Sequence, residues 1–246
     1  MSTNIRISLA TSFIFLSLSC IACGNRDTEK FASDSTPLPT PAPQVPAPPI
    51  LDDRPKIVAF GDSFTAGMSI ADWRDTYPAR LQDDLDKAGY TLQVINRGRS
   101  GDTTSQSLER LAEALRSGDI RVFILELGAN DFFRGVPPDV TKANLTEIIR
   151  RAREKSAKVL LCGWEPYKDQ KGAQAMRSLY SDVARENDVA LLPSLLSGVQ
   201  QDQKLLLSDG LHPNEAGAAV EEQNVWKALQ PLLKDEPRMR GRDKIQ

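Results

Sequence analysis

The sequence predicts an α/β fold in which a five-stranded parallel sheet lies between two layers of helices. Three observations point to it. Five short apolar runs, rich in Val, Ile, Leu and Phe, have the length and composition of buried strands. Between them lie longer segments whose apolar residues recur at helical spacing. The two kinds of segment alternate, and right-handed crossovers turn that alternation into a parallel sheet covered by helices on both faces.

The first run, Ile57 to Phe60, ends at Gly61, where the backbone must turn. Thr76 is placed to cap a helix with Pro78 in its first turn and Leu81 and Leu85 on its inner face, closing near Gly89. Leu92 to Ile95 is the second strand. Thr103 or Thr104 opens a helix carrying Leu108, Leu111 and Leu115, with Gly118 beyond its end. Arg121 to Leu127 is the third and most apolar strand. Val140 to Glu154 is helical by the spacing of Leu145, Ile148 and Ile149, and Lys158 to Cys162 is the fourth strand. Gly172 to Glu186 is the next helix and Val189 to Leu192 the fifth strand. After an irregular stretch, Asn214 starts a last helix running to Pro231.

Outside this domain, expected over 56–233, the composition changes. Residues 1–23 combine Arg6, an apolar run from Ile7 to Leu18, and small residues around Cys20 and Cys23, the pattern of an export signal too short to span a bilayer stably. Ser19-Cys20-Ile21-Ala22-Cys23-Gly24 resembles a bacterial lipobox. Cys23 is the preferred acceptor for lipidation, Cys20 is the alternative, and a plain secretory signal with two incidental cysteines is the simpler reading. A multiply acylated cysteine would hold the chain stably at a membrane of the cell envelope, facing the periplasm or the cell surface. From 24 to 55 the chain is rich in Ser, Thr, Ala and Pro, with eight of its sixteen prolines between Pro37 and Pro55. That composition predicts an extended linker with a reach of roughly 90 Å in polyproline II geometry. Residues 234–246 read as a charged, disordered tail. The balance of 31 basic and 33 acidic residues, with no basic run, argues against nucleic acid as a partner. Cys162, alone in the domain and within a strand, reads as a buried structural thiol.

The chemistry lies in the segments that come after the strands. Gly61-Asp62-Ser63 succeeds the first, Asn96 to Thr103 the second, Gly128-Ala129-Asn130-Asp131 the third, and Asp209-Gly210-Leu211-His212-Pro213-Asn214 comes after the fifth. In a parallel sheet these loops emerge at one carboxyl edge, where ligands bind. His212 is the only histidine in the chain. A serine hydroxyl needs a neighbouring base, and imidazole suits that task near neutrality. Ser63 is therefore the candidate nucleophile and His212 its base, with Asp209, three residues earlier, as the carboxylate that orients the ring. The oxyanion would rest on the backbone N–H groups of Ser63 and Gly101 and on the Asn130 side chain. Taken singly, each residue has a structural explanation: helix cap, turn, or a glycine with positive φ.

As a set, these blocks resemble the SGNH, or GDSL, hydrolases. Glu126 to Asp131 with Arg134-Gly135 resembles the bacterial branch known for thioesterase, lysophospholipase and arylesterase activity. The resemblance covers nearly all of 56–233 and implies a three-layer, flavodoxin-like sheet of five parallel strands. It also implies Ser63 as nucleophile, His212 as base and Asp209 as orienter. Two stretches depart from that branch. Residues 163–170 lack its Arg-x-Pro-x-Asn-Tyr-Gly pattern, and Phe132 and Phe133 stand after Asn130 where smaller residues are frequent.

The expected reaction is hydrolysis of a carboxylic ester or thioester through an acyl-serine, which requires no metal or organic cofactor. Asp62 and Asp131 suggest a magnesium site only weakly, since no phosphate-cradling glycines accompany them. Ile70, Trp73, Phe132, Phe133 and Trp164 would furnish an apolar groove for an acyl chain, although core packing explains any one of them. The expected substrate is a small acyl ester or a lysophospholipid. A carbohydrate or peptidoglycan O-acetyl esterase is the first alternative, and a non-catalytic ligand-binding lipoprotein the second.

Overall fold

The computed structural model describes residues 52–238. The expected signal segment, the linker up to residue 51 and the tail from residue 239 lie outside the described residues. Strands β1 Lys56–Gly61, β2 Gln93–Gly98, β3 Ile120–Glu126, β4 Lys158–Cys162 and β5 Ala190–Leu192 form one sheet. All neighbours are parallel, in the order β2-β1-β3-β4-β5. This is the flavodoxin-type order. Connections run outward in opposite directions on either side of the β1/β3 boundary, which opens a crevice at the carboxyl ends of those two strands.

The helices are α1 Ser63–Ala66, α2 Tyr77–Lys87, α3 Thr104–Ala114, α4 Ala129–Phe133, α5 Pro138–Arg153, α6 Gln170–Asn187 and α7 Glu215–Leu229. Helices α2 and α7 touch on one face of the sheet, while α5 touches both α3 and α6 on the other. Between the layers lie fully buried residues of β1 and β3, Ile57 to Phe60 and Val122 to Leu125, apolar on both faces because both faces are covered.

Several boundaries differ from their sequence-based positions, each for a local reason. Strand β2 runs on to Gly98 because Asn96, Arg97 and Gly98 pair with Ala59, Phe60 and Gly61; as an edge strand it tolerates polar residues. Thr103, rather than Thr104, caps α3. Its hydroxyl accepts from Gln106 N–H while the Gln106 side chain accepts from Thr103 N–H. Thr76 occupies the cap position of α2, yet its hydroxyl donates to Trp73 O at 2.7 Å instead of capping. Helices α1 and α4 form where loops were expected. Residues 234–238 are packed, not loose: Thr91 N–H donates to Pro237 O at 3.1 Å, and Arg238 lies over the Tyr90 ring. At the other end, residues 52–55 already belong to the domain, with Gln93 N–H donating to Pro55 O and Arg54 paired with Asp52 at 2.6 Å. Cys162 is buried, as expected.

Candidate active site

β1 leads into the turn that carries the candidate nucleophile Ser63. Asp62, not Ser63, is the N-cap of α1, accepting from Phe64 N–H at 3.2 Å. Ser63 is thereby released from capping, and its Oγ lies 2.9 Å from His212 Nε2. His212 Nδ1 in turn lies 2.6 Å from Asp209 Oδ2. A proton on Nδ1, held by Asp209, leaves Nε2 free to accept from the serine hydroxyl.

The Asp209–His212 turn is held from several sides. Asp209 Oδ1 accepts from Leu211 N–H at 2.9 Å and His212 N–H at 3.0 Å, and Leu207 N–H donates to His212 O at 2.7 Å. The start of α7 fixes the other end, where Asn214 Oδ1 accepts from Ala216 and Gly217 N–H. Partial burial works against the Asp209 carboxylate, but these hydrogen bonds and the imidazole outweigh it and hold the pKa below the usual range. The Phe64 ring packs beside His212 with centroids 5.3 Å apart.

Among the described residues, the N–H groups of Ser63 and Gly101 donate to no protein acceptor, as oxyanion donors should. Gly101 has φ 83°, a left-handed conformation suited to glycine. Its carbonyl accepts from Arg134 at 2.7 Å, which ties the loop after β2 to the segment following α4. Asn130, the second residue of α4, donates one amide hydrogen to Asp62 Oδ2 at 3.0 Å, and among the described residues its other amide hydrogen has no protein acceptor. The structure thus joins Ser63, His212 and Asp209 directly, ties Asn130 to the same turn through Asp62, and sets Gly101 on the adjoining loop.

Of the residues expected to line an apolar groove, Trp164 does not face solvent. Trp164 is only 1% exposed, in van der Waals company with Phe132 and Phe133 at centroid separations of 5.7 and 5.2 Å, so it is core. Trp73 and Phe133 are instead 67% and 55% exposed. A groove of about 420 Å³ lies beside the β4–α6 loop, between Glu165, Tyr167, Gln174, Arg177 and Gln200, and no residue of the triad lines it. Asp131 faces away from Asp62: buried, it accepts from Thr104 N–H at 2.8 Å and from the Thr141 hydroxyl at 3.2 Å, locking α3 to α5.

Three supporting residues, Arg110, Asp102 and Glu126, are absent from the sequence-based assignment. Arg110 of α3 pairs with buried Asp102 and donates to Arg97 O at 2.8 Å and Gly61 O at 2.9 Å, joining the ends of β1 and β2. Its guanidinium covers the Phe60 ring at 4.3 Å. Glu126, at the end of β3, accepts from Asp62 N–H at 3.2 Å and the Thr65 hydroxyl at 3.0 Å. A carboxyl group closing the apolar run from Val122 to Leu125 is its sequence signal.

A model described as the GDSL-like Lipase/Acylhydrolase family matches residues 59–220. "Esterase TesA" of Pseudomonas aeruginosa is 35% identical over 179 residues, covering 72% of this chain and 89% of that protein. "Thioesterase 1/protease 1/lysophospholipase L1" of Escherichia coli strain K12 is 31% identical, with coverage of 72% and 84%. The crystal structure of TesA, also 35% identical, superposes with a TM-score of 0.69 over 72% of this chain and 99% of that one.

Proposed function

The chain belongs to the GDSL-like lipase/acylhydrolase family, and from that premise we propose that it is a serine hydrolase of carboxylic esters or thioesters, of lysophospholipase, arylesterase or acyl-thioesterase type, with Ser63, His212 and Asp209 as its catalytic triad. The supporting observation is the unbroken line from Ser63 Oγ through the imidazole to Asp209, at 2.9 and 2.6 Å.

His212 Nε2 takes the Ser63 proton as Oγ bonds to the acyl carbon. The carbonyl oxygen, now negative, is met by Ser63 N–H, Gly101 N–H and the spare Asn130 amide hydrogen, each contributing on the order of 3 kcal/mol to transition-state stabilisation. Asp209 stabilises the imidazolium, which then protonates the departing alcohol or thiol. Water, deprotonated by the same imidazole, attacks the acyl-serine, and the collapse releases the acid and restores Ser63. A membrane-surface substrate such as a lysophospholipid fits a chain with an export signal and Cys23 as a lipidated residue at the cell envelope. Among the described residues, no helix is long and apolar enough to cross a membrane.

The test is hydrolysis of p-nitrophenyl esters from acetate to palmitate by the wild type, Ser63→Ala and His212→Ala. Both variants are expected to lose on the order of 10⁴-fold or more in kcat. Retention of the wild-type rate by Ser63→Ala would overturn the assignment. An optimum at acetate would favour an O-acetyl esterase.

A further inference from the structure

We propose that Asp62 and Glu126 act together as a positioning pair beneath the nucleophile, in which Asp62 aims the Asn130 amide at the oxyanion while Glu126 anchors the turn that carries Asp62 and Ser63. The inference rests on the triad and oxyanion hole proposed above. Neither carboxyl group touches substrate; both act through other residues.

Geometry carries the assignment. Asp62 is 0% exposed, yet it sits between the two halves of the acyl-transfer machinery. One oxygen accepts from Phe64 N–H at 3.2 Å and lies 3.4 Å from Ser63 Oγ; the other accepts from Asn130 Nδ2 at 3.0 Å. An amide held by one hydrogen has only one direction left for the other. Asp62 therefore sets where Asn130 points, and a charged acceptor holds it more firmly than a neutral one.

Glu126 performs the corresponding task one layer deeper. It is also 0% exposed, and its Oε2 collects Asp62 N–H and the Thr65 hydroxyl, so both flanks of Ser63 are tied to β3. Gly61 is required for this approach, because a Cβ there would stand 2.6 Å from Glu126 Oε2. Among the described residues Glu126 Oε1 has no partner, which makes the ionised form costly. Burial first, and then the neighbouring Asp62 charge, raise the Glu126 pKa well above the ordinary carboxyl range, while hydrogen bonds restrain the burial-driven rise of Asp62 to about 6. Burial and the Asp62 charge favour the protonated form of Glu126, while Phe64 N–H and the Asn130 amide favour the ionised form of Asp62.

The experiment is a double-mutant cycle in the full chain, with kcat and KM measured on a p-nitrophenyl ester for Asp62→Asn, Asn130→Ala and the double variant. With the Asp62→Asn oxygen kept on Phe64 N–H, its amide hydrogens turn toward Asn130, donor against donor. That change is expected to lower kcat roughly 10²- to 10³-fold, as loss of one oxyanion donor does, with KM nearly unchanged. In the Asn130→Ala background it should cost no more than a few fold, because the residue through which Asp62 acts is already gone. Fully multiplicative losses would show that Asp62 does not act through Asn130. Should Asp62→Asn fail to fold, Glu126 supplies an independent readout. Glu126→Gln keeps an oxygen for Asp62 N–H and Thr65 and is expected to retain kcat within a few fold, whereas Glu126→Leu should lose about tenfold or more at constant KM. Equal losses in the two overturn the neutral-acid role. If Ser63→Ala is inactive while the cycle is multiplicative, only the pair is wrong; if Ser63→Ala is active, the triad itself falls.

Discussion

Ser63 occupies the first position of a helix rather than its cap, and that offset of one residue decides its chemistry. With Asp62 satisfying Phe64 N–H, the serine hydroxyl is left for His212. The sequence carries both residues but not this division of labour, since serine and aspartate are equally good caps. Other single residues carry charge states that only burial sets. Glu222 of α7 is 5% exposed, and burial, then the charge of Asp84 on α2, push its carboxyl up to about 7 against the weaker pull of Lys87 and Arg80. Its unfolded value is that of an ordinary glutamate, so between about 4.5 and 7 the native state holds a proton that the unfolded chain has released. The stability linked to that proton is complete below this window, falls as pH rises through it, and is gone above. Glu222→Gln cannot ionise. Its thermal midpoint is expected to gain on the wild type from pH 4.5 to about 7 and to level off above that, measured by circular dichroism; a constant difference across this range would contradict the raised pKa.

At the scale of elements, the long helices and buried strands were legible because periodicity accumulates over their length. Helices α1 and α4, of four and five residues, have too few turns to show a period, and α4 depends on a glycine, Gly128 at φ 126°, at its N-cap. A Cβ at that position would also meet the Tyr180 hydroxyl at 2.4 Å, so backbone and packing demand the same residue. The α3 cap shows the converse. Thr103 and Gln106 form a reciprocal box at the sequence distance where one is expected, with Thr104 excluded because its hydroxyl is spent on Asp131. Thr103→Ala should cost about 1 kcal/mol, read as a lower urea midpoint at unchanged slope. No shift in midpoint would mean the box contributes nothing.

Over the whole molecule, strand order is what makes the four loops a site. With β1 between β2 and β3, the turn after β1 bearing Ser63, the loop after β2 bearing Gly101 and the segment after β3 bearing Asn130 emerge side by side. The return of α7 onto the α2 face brings His212 to the same crevice from the far end of the chain. Beyond the domain, the proposal that Cys23 is acylated has its own test. In an exporting bacterial host, Cys23→Ser should move the full chain from the membrane fraction to the soluble exported fraction, assayed by esterase activity. Release by Cys20→Ser instead, or by neither, would overturn that acceptor.

The amino-acid sequence alone specified the alternation of strand and helix and the parallel sheet, and it marked Ser63, Asp209, His212, Gly101 and Asn130 as candidates, because these arise from local pattern and from motifs a few residues long. Tertiary packing decided which residues support them. Asp62 and Glu126 come from different strand ends, Arg110 reaches across from α3, and Trp164 packs into the core. Such pairings join residues distant in sequence and depend on register and burial. A carboxyl group's partner and charge state are set by what surrounds it in space, which its neighbours in the chain do not reveal.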